Sequence, residues 1–111
     1  MSRICFVELP ASNLASARSF YTDAFGVAFT DFGPSYSCMT TGDVDIGLQA
    51  DASEAASAPQ AVIAVDDLQA SFEAVGKAGG VITKAIFAFP GGRRFHFRDP
   101  SGNELAALQA G

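Results

Sequence analysis

The chain repeats itself, and this repeat limits the folds open to it more than any other feature of the sequence. When Leu14 is aligned with Leu68, further identical residues fall on one another: Ala24 on Ala78, Gly26 on Gly80 and Val27 on Val81. A repeat of this length cannot bury its own apolar face, so two copies predict two stacked, pseudo-symmetric modules. The cleft between such modules is where we expect the function.

Both halves predict the same order of elements: a strand, a helix and three strands. Asn13 and Asp67 can cap the helices, and Gly26 and the glycine pair at 79–80 can end them. In module 1 (about 1–50) we expect a strand at 4–9, a helix at 14–24 and strands at 27–32, 36–40 and 44–49. In module 2 (about 60–109) we expect a strand at 61–65, a helix at 68–78 and strands at 81–87, 93–98 and 104–108. Hairpins covered by helices on one face make the fold α+β.

Composition narrows the class of protein. The 111 residues are 49% hydrophobic and 17% charged, which suits one domain with its own core. Residues 51–59 are small and acidic, and we expect them to link the modules. The net charge of −5 disfavours nucleic acid and anionic membranes as partners. Because the chain enters a strand-like segment at once and Cys5 and Cys38 form no C-x-x-C motif, we expect a cytoplasmic protein with reduced thiols.

Charged and aromatic residues alternate along the strand at 93–98. Arg94, His96 and Arg98 share one face, with phenylalanines between them. If the phenylalanines pack under a helix, the cationic residues face the cleft and suit an anionic or polar planar ligand. The alternative is a solvated basic strand in which Arg98 pairs with Asp99. Among the other phenylalanines, the helical ones are expected in the core: Phe20, Phe25 and Phe72.

Three segments resemble the vicinal-oxygen-chelate superfamily, which holds glyoxalase I, extradiol dioxygenases, fosfomycin-resistance enzymes and bleomycin-binding proteins. They are FVELPASNLASARSFYTDAFGV, VDDLQASFEAVGKAGGVI and FRDPSGNELAAL. The resemblance covers nearly the whole chain. It implies paired βαβββ modules whose curved sheets form a U-shaped cleft, commonly completed in a homodimer.

The resemblance also implies a divalent metal in the cleft, with ligands from the first and last strands of the modules. Those positions fall on Phe6 and Gln60 in the first strands, and on Gly47 and Ala106 in the last strands. Three of these residues have no donor side chain, and glutamine is a weak ligand for a transition metal. We therefore expect no metal and no cofactor.

Other residues nearby have suitable donors. Glu8 shares a strand face with Phe6, and Glu104 shares one with Ala106. In the extradiol-dioxygenase pattern the residue three before the Asp of the DP-x-G turn faces the active site, and His96 holds that position. These three side chains suit a divalent cation. The alternative is that both glutamates lie at wet strand ends.

Two functions follow from these residues. The first is a non-catalytic protein that binds a small organic molecule in an apolar cleft through Phe6, Glu8, Gln60, His96 and Glu104, without a metal. The second is an enzyme: a metal-dependent lyase or dioxygenase with displaced ligands, or a metal-free isomerase with Glu8 or His96 as base. In either case we expect a homodimer and no nucleic acid or membrane partner.

Overall fold

The same order of elements occurs twice along the chain in the structure, a computed structural model that describes residues 2–111. Module 1 contains β1 (Arg3–Pro10), α1 (Leu14–Phe25), β2 (Thr30–Asp31), β3 (Tyr36–Cys38) and β4 (Asp45–Gln49). Module 2 contains β5 (Gln60–Ala64), α2 (Leu68–Lys77), β6 (Val81–Phe89), β7 (Gly92–Arg98) and β8 (Glu104–Ala110). The predicted βαβββ order is confirmed in both.

Local capping chemistry sets the helix boundaries. The side chain of Asn13 accepts a hydrogen bond from the Ser16 amide at 2.9 Å, and that of Asp67 accepts one from the Ala70 amide at 3.0 Å. At the other end of α1, Gly26 adopts a left-handed φ of 70°. Both helices therefore begin and end within one residue of the predicted positions.

The two modules share one strand order. In module 1 the order is β2-β3-β4-β1, and in module 2 it is β6-β7-β8-β5. The first and last strands of each module pair in parallel, and the other neighbours are antiparallel. Glu8 lies opposite Gly47 in module 1, as Val62 lies opposite Ala106 in module 2. The sequence repeat is therefore also a repeat of strand pairing.

Module 2 has a core beneath α2. Leu68, Phe95 and Ala107 are buried together, and Phe72 and Phe97 pack against them. The rings of Phe72 and Phe95 meet edge-on, with their centroids 5.2 Å apart. The predictions that Phe72 is a core residue and that the β7 phenylalanines lie on the helix side are both confirmed.

Two expectations for module 1 are wrong. Phe20 and Phe25 are 59% and 70% exposed, because Phe20 lies off the half-buried stripe of α1 and Phe25 is its last residue. The strand expected at 27–32 is only Thr30–Asp31, since it is an edge strand that pairs with β3 alone. Before it, the Thr22 hydroxyl donates a hydrogen bond to the Val27 carbonyl at 2.9 Å, which ties this segment to α1.

Neither of the two helices found within residues 2–111 is long and apolar enough to cross a membrane.

Candidate functional site

Six residues share one face of the module 1 sheet. Residues directly opposite each other on paired strands point to the same face. The pairs Phe6–Asp45, Glu8–Gly47 and Cys38–Gly47 therefore place these residues together, and Tyr36 joins them from β3. We call this set, Phe6, Glu8, Tyr36, Cys38, Asp45 and Gly47, the module 1 face.

Glu8 is the best-defined polar group on the module 1 face. It is 5% exposed, and its Oε2 accepts a hydrogen bond from the Tyr36 hydroxyl at 3.1 Å. The alternative that Glu8 lies at a wet strand end is therefore wrong. Its neighbour on β4 is Gly47, and this leaves the space that the Tyr36 ring occupies. A buried carboxylate with a phenol donor is the kind of group that fixes a ligand or moves a proton.

Gly47 has a steric role in this arrangement. A Cβ built on it would collide with the Tyr36 hydroxyl and lie 3.2 Å from Cζ of the same ring. It would also lie 3.5 Å from the ring of Phe6. Any side chain at position 47 therefore displaces Tyr36 from Glu8.

Cys38 and Asp45 complete the module 1 face. Burial raises the pKa of the Cys38 thiol to about 11, and the negative charge of Asp45 adds to the effect. A hydrogen bond with Tyr36 acts in the opposite direction but is outweighed. Asp45 is itself buried, and it accepts hydrogen bonds from the Thr41 hydroxyl and from the Thr41 and Gly42 amides. Cys38 is therefore a neutral thiol near pH 7 and not a nucleophile.

The equivalent face of module 2 is basic. Arg94 and His96 are 5% and 7% exposed, and they lie opposite Leu108 and Ala106 of β8. The alternative of a solvated basic strand is wrong for these two residues. Arg98 is exposed at the end of β7, and its register neighbour is Glu104. That Arg98 pairs with Asp99 stays a prediction. Strand register makes Arg94 the counterpart of Tyr36, and His96 the counterpart of Cys38.

The remaining predicted residues are less sharply placed. Phe6 is half-buried on the module 1 face, and Glu104 is half-buried at the start of β8. Gln60 is 1% exposed at the start of β5. That Phe6, Gln60 and His96 approach one cavity stays a prediction.

Sequence reasoning missed the aromatic and lysine neighbours of Arg94 and His96. The Phe87 ring meets the His96 ring with centroids 5.6 Å apart, and the Lys84 ammonium lies 4.2 Å from the centroid of Phe87. The Arg94 guanidinium lies 5.6 Å from the centroid of the Phe89 ring. Tyr36 was missed as well, although a glycine within a strand, here Gly47 in β4, indicates that another group approaches the backbone closely.

A family model described as the Glyoxalase/Bleomycin resistance protein/Dioxygenase superfamily matches residues 3–107. The chain belongs to this superfamily. A search among curated protein sequences finds no match.

Solved structures of this superfamily have the same fold. A superfamily member from Vibrio splendidus is 19% identical, with a TM-score of 0.72 and 99% of each chain covered. Methylmalonyl-CoA epimerase from Mycobacterium tuberculosis is 14% identical, with a TM-score of 0.75 and 97% of this chain and 87% of the epimerase covered. The Mn(II)-bound glyoxalase from Novosphingobium aromaticivorans is 19% identical, with a TM-score of 0.68 and 98% of this chain and 40% of the glyoxalase covered. At these identities the likeness shows a shared fold alone and carries no information about activity.

The metal site that the superfamily implies does not fit this chain. In module 1 the Tyr36 ring fills the space at Gly47, where the resemblance places a ligand. In module 2 the corresponding residue is Ala106, whose neighbours in register are Val62 and His96. Within residues 2–111, no group of three His, Cys, Asp or Glu side chains is placed to hold a metal ion.

Proposed function

We propose that this superfamily member binds a small organic molecule without the superfamily's metal ion. The observation that carries the proposal is the position of Tyr36. Its ring occupies the space of a side chain at position 47, where the resemblance places a metal ligand, and its hydroxyl donates a hydrogen bond to Glu8. A polar pair of this kind, next to the apolar ring of Phe6, has the composition of a small-molecule site. Gln60, His96 and Glu104 are the further polar groups that we propose orient the ligand.

Two substitutions test the binding proposal. Phe6→Ala removes apolar contact and His96→Ala removes a hydrogen-bonding group, so each should weaken binding while the protein stays folded. The measurement is ligand-observed NMR with a library of neutral and charged fragments, with circular dichroism to check the fold. Phe32→Ala, which changes an exposed aromatic residue in a turn, is the matched control. The proposal fails if no fragment binds, or if both variants bind every fragment as the wild type does.

Metal analysis tests the second part of the proposal. Protein purified without chelator should contain well under one equivalent of zinc, nickel, iron or manganese. An ion that binds only the folded state stabilises it and raises the melting temperature. Because we expect no such ion to bind, added metal should leave the melting temperature unchanged. A stoichiometric metal ion would overturn the proposal and favour a metal-dependent lyase or dioxygenase.

A metal-free isomerase is the second candidate, and the buried Glu8–Tyr36 pair favours it. A carboxylate can remove the proton from a carbon next to a carbonyl and leave an enolate. A proton donor on the opposite face then completes the inversion of that carbon without oxidation or reduction. Tyr36 holds the Glu8 carboxylate in one orientation through its hydrogen bond. Methylmalonyl-CoA epimerase, one of the similar structures, supplies a compound with which to test this.

The isomerase test follows the α-hydrogen of methylmalonyl-CoA in D2O by NMR. If Glu8 is a base, the wild type speeds deuterium incorporation and Glu8→Gln abolishes the effect. Asp43→Asn, at an exposed carboxylate in the turn before β4, is the control that keeps the wild-type rate. An exchange rate equal to the buffer rate would remove this candidate and leave the binding proposal intact.

We also propose a homodimer and a cytoplasmic location. The exposed phenylalanines of α1 support the dimer, because large exposed apolar side chains on one helix mark interaction surfaces. The two cysteines support the location, since both are thiols and reduced thiols are typical of cytoplasmic proteins.

A further inference from the structure

Lys84, Phe87, Phe89, Arg94 and His96 form a cluster on one face of the β6–β7 hairpin, and we call it the cation–aromatic cluster. Lys84 pairs in register with His96, and Phe87 pairs with Arg94. The Lys84 ammonium and the Arg94 guanidinium lie over the Phe87 ring, at 4.2 Å and 6.0 Å from its centroid. Two cations and a histidine are thus held around one aromatic ring.

Irregular strand pairing makes the cluster possible. Lys84 and Phe87 are an odd number of residues apart, so in a regular strand they would point to opposite faces. The register shifts between them, and both face the same side as His96 and Arg94. Bulges of this kind re-aim side chains and are frequent next to functional sites.

Burial distinguishes the cluster from an ordinary basic surface. Arg94 and His96 are buried, whereas Lys84, Phe87 and Phe89 are half-buried. The cluster therefore has a desolvated cationic floor and a partly accessible rim. Electrostatic attraction is stronger in such a desolvated environment than at an open surface.

The register neighbours of the cluster on β8 are apolar. On the β8 side, His96 and Arg94 lie next to Ala106 and Leu108. The carboxylate of β8 lies farther along, at Glu104 opposite Arg98. In a chain with a net charge of −5, this is a local concentration of positive charge beside aromatic rings.

We propose that the cation–aromatic cluster binds a small organic carboxylate with a flat apolar body. Arg94 and Lys84 attract the carboxylate, since the N–H donors of a guanidinium match the geometry of a carboxylate and an ammonium group adds a second positive charge. The Phe87 and Phe89 rings contact the flat body. This inference rests on the proposed binding function and names its ligand class.

Three probes of one shape and different charge test the inference: benzoate, benzamide and benzamidine. His96 is the only histidine, so its imidazole proton signals report binding without further assignment. We expect benzoate to shift these signals with a dissociation constant on the order of 1 mM, as suits a fragment of this size. Benzamide should bind at least about tenfold more weakly and benzamidine should not bind.

Neighbouring residues provide matched controls. Arg94→Gln should weaken benzoate binding about tenfold or more, whereas Arg93→Gln, at the exposed adjacent residue, should change it less than about twofold. If Arg94→Gln does not fold, Lys84→Gln is the second variant, with Lys77→Gln in the last turn of α2 as its control.

The outcomes separate the inference from the proposed function. If benzoate and benzamide bind equally, the binding function stands and the carboxylate class is wrong. If benzoate binds and neither Arg94→Gln nor Lys84→Gln weakens it, the anion lies elsewhere and the inference is overturned. If none of the three probes shifts the His96 signals, the inference is overturned, and the fragment screen on Phe6→Ala decides the binding function by itself.

Discussion

At the residue scale, Gly47 controls the chemistry of the module 1 face by having no side chain. Its place is taken by the Tyr36 ring, and the phenol then satisfies a buried carboxylate. A glutamate at this position would carry a metal-binding carboxylate and would expel Tyr36. The residue at position 47 therefore decides whether the Tyr36 phenol can reach Glu8.

Gly47→Ala should destabilise the protein by about 1–3 kcal/mol, because the added methyl group forces Tyr36 to rotate away from Glu8. The measurement is urea unfolding followed by circular dichroism. Gly76→Ala is the control, since a Cβ there meets nothing within 4 Å and alanine favours the helix. It should be neutral or stabilising. Gly47→Ala in a Tyr36→Ala background should cost little, and an equal cost in both backgrounds would contradict the steric explanation.

The Cys38 thiol should ionise only at high pH. Burial raises its pKa from 9.0 to about 11, so at pH 8 it should react with iodoacetamide about 100-fold more slowly than an ordinary thiol. The Cys5→Ser variant leaves Cys38 as the only thiol, and thiolate absorbance near 240 nm follows its ionisation. The same variant unfolded in urea is the control and should titrate near 9.0.

The same shift makes stability depend on pH. Because the folded-state pKa is raised, the contribution of Cys38 is fully present below pH 9.0 and is lost as the pH rises towards about 11. A folded-state midpoint at or below 9.0 would contradict the environment described for this thiol.

At the element scale, the helices follow from the sequence because their signals are local. Asn13 and Asp67 are the N-cap residues of α1 and α2, as the sequence predicts. Gly26 adopts the left-handed conformation that its position after α1 predicts. The repeat predicts that both modules have one strand order, and the second copy does pair as the first does. Elements whose limits are set by residues close in sequence are therefore predictable.

Other features of the elements depend on tertiary context. Alternation along β6 predicts that Lys84 and Phe87 point apart, and only the register shift against β7 brings them together. The stripe of α1 predicts buried phenylalanines, but Tyr21 is half-buried whereas Phe20 is exposed. For the site, the sequence indicated Glu8 and His96 but not their partners, Tyr36 and Phe87. Tyr36 comes from a strand distant in sequence, and Phe87 faces His96 only because of the register shift in the β6–β7 hairpin.

Phe95→Ala should destabilise module 2 by about 3–5 kcal/mol, because Phe95 is fully buried between α2 and the sheet and its removal leaves a cavity. Urea unfolding measures the loss. Phe32→Ala, at a half-exposed residue outside the helices and strands, should change stability by no more than about 0.5 kcal/mol. Similar costs for the two variants would contradict the core described for this module.

At the scale of the whole molecule, one topology carries two chemistries. Strand register makes Tyr36 and Arg94 counterparts, yet the first belongs to an acidic face and the second to a basic one. The helices also differ, since α2 contributes Leu68 to a buried core and α1 contains no buried residue. Duplication thus preserved the strand pairing while the side chains on each copy diverged.

The exposed aromatic residues of α1 carry the last prediction, which is that two copies of the chain associate through them. Phe20 and Phe25 are mostly exposed, and their rings flank that of Tyr21, at centroid distances of 5.1 Å and 6.3 Å. A patch of adjacent aromatic rings is typical of the centre of an interface. Light scattering at micromolar concentration should therefore give about twice the 11.5 kDa chain mass.

Phe25→Ser should shift this equilibrium towards the monomer, raising the dimer dissociation constant at least about tenfold, because truncation of an aromatic residue at an interface centre commonly costs that much. Val81→Ser, at an exposed apolar residue of β6, is the matched control and should leave the mass unchanged. Sedimentation over a range of protein concentrations measures both variants. A wild-type protein that remains monomeric at about 100 μM would refute the association, since an interface of standard size holds at that concentration. An unchanged dimer in Phe25→Ser would instead place the interface on another surface.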